Sequence, residues 1–140
     1  MATNVNPTKP PVRSTFHGQV GEIRSRVTFS DIGLVAGLPM KNAFPMGAII
    51  TRTTIIVSQA FNAGTTNPLV VGSTPGGNDL VAATDAVAQT LGVKRPDTAT
   101  VLGQLAADTV PYVSYAPTGS APTAGVADIV FEYVAPRPVA

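Results

Sequence analysis

The chain has 140 residues, the size of one domain with a single hydrophobic core, and only 12% of them are charged against 44% apolar. A formal net charge of +1 supplies no field to draw in nucleic acid or an anionic membrane, and without cysteine there is neither a disulfide framework nor a thiolate metal site. No apolar run is long enough to cross a bilayer and residues 1–7 carry no signal-peptide pattern, so synthesis in the cytoplasm without a membrane partner is expected.

Residues 1–21 read as an extended arm. Pro7, Pro10 and Pro11 block helix and interior strand, and Lys9 and Arg13 meet no acidic neighbour before Glu22. Such a segment is either a solvated terminus or an arm that orders on a partner with an acidic surface. From Glu22 the sequence alternates. Ile23, Ser25, Val27 and Phe29 take one face and Arg24, Arg26 and Thr28 the other, the pattern of a half-buried strand. Residues Ile32–Met40 are apolar but interrupted by Gly33, Gly37 and Pro39, and read as an apolar loop or edge segment that docks on a neighbour.

The densest β-branched run is Ala48–Ser58, and β-branched side chains pack best on a pleated surface. Regular alternation sets Ile49, Thr51, Thr53, Ile55 and Val57 against Ile50, Arg52, Thr54, Ile56 and Ser58, two partly apolar faces that suit a strand inside a two-layer sandwich or at a subunit contact. The run ends at a turn signal, Phe61-Asn62-Ala63-Gly64, and a short strand follows at Leu69–Gly72. Ser73–Asn78 is a loop on composition. Asp79–Leu91 reads two ways: a helix capped by Asn78 or Asp79 and stopped at Gly92, or a strand over Leu80–Ala83 followed by an irregular or single-turn piece, the second being preferred.

Lys94–Asp97 reads as a turn. Thr100–Leu105, Tyr112–Tyr115 and Val126–Val134 read as strands, with Pro117–Gly125 a hairpin-type loop before the last, and Pro136-Arg137-Pro138 ends the sheet. Seven or eight short strands between Gly/Pro loops make the chain all-β. The expected fold is an antiparallel β-sandwich of jelly-roll type over residues 22–135, between the N-terminal arm and a tail at 136–140.

Little in the chain can run a reaction. His17 is the only histidine, and it lies in the arm with no nucleophile or orienting group beside it. No Gly-x-Ser-x-Gly elbow occurs, and Gly72–Gly77 lacks the Gly-Lys-Ser/Thr ending of a phosphate loop. Asp79, Asp85, Asp97, Asp108, Asp128 and Glu132 lack the tight spacing of a calcium loop, which leaves only a site assembled from separate loops. There is no tryptophan, the best platform for a sugar ring, and Tyr112, Tyr115 and Tyr133 fall on strands. No catalytic residue, cofactor or metal is therefore expected. A surface so poor in charge is covered by Thr, Ser, Asn, Gly, Pro and Ala, and it desolvates at little cost against another protein.

Several short stretches are familiar as a series. Pro45-Met46-Gly47-Ala48, Val57 to Gly64, Leu69-Val70-Val71-Gly72, Ala82-Ala83-Thr84-Asp85, Thr123-Ala124-Gly125 and Glu132-Tyr133-Val134 resemble motifs of the jelly-roll cement and decoration proteins of tailed bacteriophage heads. Size, neutrality and expected fold look closest to the cement proteins of short-tailed phages such as that of Bordetella. The resemblance covers roughly residues 45–134 and rests on turns and strand ends.

It implies a multi-copy virion protein on the outside of an expanded capsid, bound to the major capsid protein and bridging neighbouring capsomers against the pressure of packaged DNA. A homodimer is the expected unit, twofold contacts being the commonest closed arrangement. The residues expected to touch the shell are Lys9, Arg13, Arg24 and Arg26, with Leu34, Leu38 and Met40 of the apolar loop as a second docking element. The alternative is a carbohydrate- or receptor-binding sandwich of a phage tail or fibre.

Overall fold

The computed structural model describes residues 20–96 and 103–135. Among them the strands are β1 (Val20–Thr28), β2 (Leu38–Pro39), β3 (Ile49–Gln59), β4 (Leu69–Gly72), β5 (Gly92–Lys94), β6 (Tyr112–Tyr115) and β7 (Val126–Val134), and the one helix is α1 (Ala83–Ala86). The expected arm at 1–21 falls outside the described residues up to position 19, and β1 already runs from Val20 rather than from Glu22. Lys9, Arg13, His17, Asp97 and the tail at 136–140 also lie outside them.

Two antiparallel sheets face one another. The first has the order β1-β7-β3-β5 and the second β2-β6-β4, so the chain alternates strictly between layers, odd strands in one and even strands in the other. This is the winding of a jelly roll with one strand reduced. Beyond β4, where an eighth strand would stand, there is a single bridge between Val71 and Val81, and then the one turn of α1. The expected strand at Leu80–Ala83 thus shrinks to that bridge, and the single-turn piece after it is present.

Strict alternation also corrects the connections. Pro117–Gly125 is a crossing between sheets, not a hairpin, because the strands that it joins belong to different layers, and the turn at Phe61–Gly64 likewise leads from one sheet to the other. Lys94 ends β5, whose residues pair with Ile55–Val57, instead of opening a turn. Of the expected Thr100–Leu105 strand, the described Gly103–Leu105 is irregular, although Leu105 exchanges backbone hydrogen bonds with the entry to β3 (Gly47 N–H to Leu105 O, 2.7 Å; Leu105 N–H to Ala48 O, 2.9 Å).

Alternation holds along β1, where Ile23 and Val27 point inward and Arg24 and Arg26 outward. Along β3 it breaks. Between Ile50 and Arg52 the register against β7 slips by one residue, a β-bulge at Thr51. Ile50 and Thr53, three apart, are therefore both buried, Ile55 and Val57 continue inward, and Ile49 is left on the outer face. Simple period-2 counting put Ile49 with Thr53; the extra residue reverses its side.

The core between the sheets is continuous. Ile23, Val27, Ile50, Ile55, Val57, Ile129 and Phe131 come from the first sheet and Leu69, Val71, Val113 and Tyr115 from the second. Each fully buried side chain of this kind is worth about 1.5–3 kcal/mol by transfer from water. Phe44 closes one end, edge-on to Phe131 and to Tyr133 with both centroid separations 5.4 Å. At the other end the rings of Phe61 and Tyr115 lie 4.7 Å apart. Gly125 is required there: its φ is +151°, and a Cβ would stand 2.4 Å from the Phe61 ring.

Candidate functional site

The acidic side chains serve the fold one by one. Asp31 accepts from the Thr28 N–H and hydroxyl (2.9 and 2.8 Å), Asp79 from the Ser73 N–H and hydroxyl (2.8 and 2.6 Å), and Asp108 from the Met46 N–H (2.8 Å). Among the described residues no three His, Cys, Asp or Glu side chains converge on a point where a cation would sit. Every described aromatic ring is buried or half-buried, so none offers the exposed platform that sugar stacking uses. An open depression of about 480 Å³ is lined by Thr65, Thr66, Asn67, Pro68, Thr84 and Gln89 among others. Its polar groups are partly spent on the fold, since the Thr66 hydroxyl bonds that of Thr118 (2.6 Å) and Asn67 is tied to Ala63 and Tyr115.

What the molecule does present is surface. The outer face of the first sheet is ordered in rows by the strand registers. Val20, Val134 and Ile49 form an apolar row across β1, β7 and β3, exposed at 63%, 37% and 42%. Next come Glu22, Glu132 and Arg52, then Arg24, Val130 and Thr54, then Arg26, Asp128 and Ile56.

Arg26 grips Asp128 with both arms of its guanidinium, Nε and one Nη each 2.9 Å from a carboxylate oxygen. That hydrogen-bonded fork, and then the charge attraction, hold the Arg26 guanidinium even more firmly protonated than usual. Arg24 lies 3.9 Å from Glu22, and Arg52 lies 3.8 Å from Glu132. The face is thus a neutral lattice of opposite charges flanked by an apolar row.

A second presented element is the loop from Ser30 to Gly37. Asp31 fastens its start to the end of β1, and the Leu34 carbonyl accepts from the Tyr115 N–H (3.0 Å) at its middle. At its end, Gly37, with φ +124°, packs so closely on the Pro75–Gly76 backbone that a Cβ would come within 2.8 Å. Between these fastenings Ile32 and Val35 point away from the core, exposed at 95% and 67%. The result is a stiff apolar knob.

The expected contact residues divide accordingly. Arg24 and Arg26 are exposed on β1, but each already faces an acid in its own chain. Leu34 and Met40 are core residues, 2% and 4% exposed, and Leu38 on β2 is half-buried against the core. Their side chains offer little or no area to a partner; the same loop offers Ile32 and Val35 instead. Leu34 and Ile32 are two apart in a segment without strand or helix, so no periodicity could tell the inward residue from the outward one. The apolar row across three strands depends on the bulge and was equally hidden.

The stretches that carried the family resemblance lie where the layers change: at the entry and exit of β3, at β4, at the start of α1, before β7 and at its end. No protein-family profile and no curated protein matches the sequence. Solved structures match the fold. A chain of the cyanophage Pam1 capsid asymmetric unit superposes with a TM-score of 0.67 at 23% identity, covering 96% of this chain and 99% of that one. A chain of the capsid of Ralstonia phage GP4 gives 0.62 at 20%, covering 94% and 92%. A chain of the acid-stable capsid of Helicobacter pylori bacteriophage KHP30 gives 0.57 at 13%, covering 88% and 93%.

Proposed function

We infer that the protein is a structural, non-enzymatic component of a phage virion that binds the outer surface of the capsid and cements neighbouring capsomers. The observation that carries this is the likeness, over nearly the whole length of both chains, to chains from capsids of three phages with different hosts. The major capsid protein is the partner, the protein acts as a homodimer on the shell, and its task is to hold the expanded head against the pressure of its DNA. The resemblance to jelly-roll cement proteins, that of the Bordetella phage included, supports the finer part of this reading.

The physics is consistent with it. A face whose charges are paired and sum to zero needs no countercharged partner, and the desolvation cost of its ion pairs confines close docking to the apolar row and the knob. The Ile32–Val35 knob is held before any partner arrives, so docking orders little that was free. Many equivalent copies then add modest contacts into a large collective effect. The glycan-binding alternative gains nothing from the structure, whose described rings are turned inward or half-covered.

The test is co-sedimentation of purified protein with expanded, DNA-free capsids stripped of their own decoration. Binding should saturate. Ile32→Ser with Val35→Ser should weaken it without lowering the melting temperature, and removal of residues 1–19 should weaken it while leaving the domain folded. A truncated, folded chain that binds as well as the full one removes the arm from the interface. No binding by the intact folded protein removes the reading itself.

A further inference from the structure

We propose that the chain pairs with a second copy of itself through the edge of β1 that no described strand covers, the two strands running antiparallel about a twofold axis so that the first sheets of both copies join into one. This deepens the self-association in the reading above and rests on it.

The phase of the β1–β7 ladder decides which backbone groups are free. The Phe29 N–H donates to Gly125 O at 3.0 Å, continuing the register in which Thr28 opposes Val126. Bonded and non-bonded pairs alternate along an antiparallel ladder, so Val27, Ser25, Ile23 and Gly21 also turn their N–H and C=O toward β7. Arg26, Arg24, Glu22 and Val20 turn theirs the other way. Thr28 confirms the phase, because its N–H goes to the Asp31 carboxylate (2.9 Å) and its C=O accepts from the Asp31 N–H (3.1 Å). Asp31 closes the edge at Thr28. At Val20, Glu22, Arg24 and Arg26 the outward backbone groups have no partner among the described residues.

Edge strands are commonly defended by proline, a bulge or an inward-pointing charge. β1 contains none of these: its ladder runs from Val20 to Thr28 without a register shift, and its charges, Glu22, Arg24 and Arg26, stand on the outer face, where they deter an ill-matched edge and leave a complementary one to pair. Those charges also suit an antiparallel copy. With the axis at Ile23, Glu22 faces Arg24 of the second copy and Arg24 faces Glu22 of the second copy, while Val20 faces Arg26. All four are residues whose backbone groups point away from β7, and about eight new hydrogen bonds close the seam. Placing the axis at Arg24 would set the two Arg24 side chains against each other and would pair Val20 with Thr28, whose groups Asp31 already uses. The Ile23 register is therefore the favoured one. Arg26 keeps its fork on Asp128, and the loose 3.9 Å contact between Arg24 and Glu22 in each copy, two in all, is exchanged for two pairs across the seam.

The experiment is sedimentation of the full chain and three variants, each checked for its melting temperature and for capsid binding. The wild type should be a dimer. Arg24→Pro removes an N–H that points away from its own sheet, so it should fold normally and be a monomer. Arg24→Glu alone, or Glu22→Arg alone, sets two like-charged pairs across the axis and should weaken the dimer roughly tenfold or more. An equimolar mixture of those two variants should restore it, because one chain then offers two acids and the other two arginines. A dimer that survives Arg24→Pro, or a wild type that stays monomeric at every soluble concentration, overturns the proposal. A dimeric wild type that ignores capsids removes the capsid reading and leaves this one standing; a monomer that decorates them does the reverse.

Discussion

Asn67 makes the most exacting test of the packing. Its side chain is 9% exposed, and Oδ1 accepts from the Ala63 N–H (2.7 Å) and the Tyr115 hydroxyl (2.6 Å) while Nδ2 donates to Ala63 O (3.2 Å). One amide thus pins the crossing between β3 and β4 to β6. Asn67→Ala leaves two buried donors and a carbonyl unpaired, and at about 1–3 kcal/mol for each orphaned group the loss should be at least about 3 kcal/mol. Tyr115→Phe removes one donor and leaves Oδ1 its bond to Ala63, so it should cost only about 1 kcal/mol. In the Tyr115→Phe background Asn67→Ala orphans one group fewer, so the two substitutions should couple by about 1 kcal/mol or more. Equilibrium urea unfolding of the four proteins measures this cycle. Strict additivity, or equal costs for the two single substitutions, would refute the shared network.

Other expectations follow from single residues. The Thr53 hydroxyl is buried without a hydrogen-bond partner among the described residues, so Thr53→Val, close to isosteric, should raise stability by about 1 kcal/mol in the same denaturation assay; a loss of that size would mean that the hydroxyl is satisfied. Burial raises the Tyr115 pKa above its ordinary 10.0, partly opposed by the backbone of Ala63. The folded state then holds this proton more tightly than the unfolded state does. The stabilisation is complete below pH 10 and is lost as pH rises through the raised value, and Tyr115→Phe should remove that part of the alkaline slope. Arg26→Ala strands the nearly buried Asp128 carboxylate, whereas Arg24→Ala breaks only a long exposed contact. Thermal melts should fall clearly for the first and hardly at all for the second.

How far the sequence could be read depended on where periodicity is enforced. Val126–Val134 and Tyr112–Tyr115 were legible to the residue because each is a central strand between two neighbours, and tertiary packing there agrees with local preference. Gly92–Lys94 was not, since three residues beginning with glycine carry no alternation and pair only because the exposed side of β3 offers partners. Ile49 was misplaced by a one-residue bulge, which leaves no mark in hydrophobicity but inverts every side chain before it. Which side chains of the apolar loop stay exposed was the least legible part. Leu34, Leu38 and Met40 were expected to dock because the loop is apolar, yet a loop with a buried anchor has an inward and an outward set, and only the fastening at Asp31, Leu34 and Gly37 separates them.

The most direct test of a cementing role is cryo-electron microscopy of expanded, DNA-free capsids saturated with the purified protein. The account predicts ordered density on the outer surface at junctions between capsomers, with the Ile32–Val35 knob against the shell. Folded protein that leaves the capsid surface bare, or that lies on its inner wall, would contradict it.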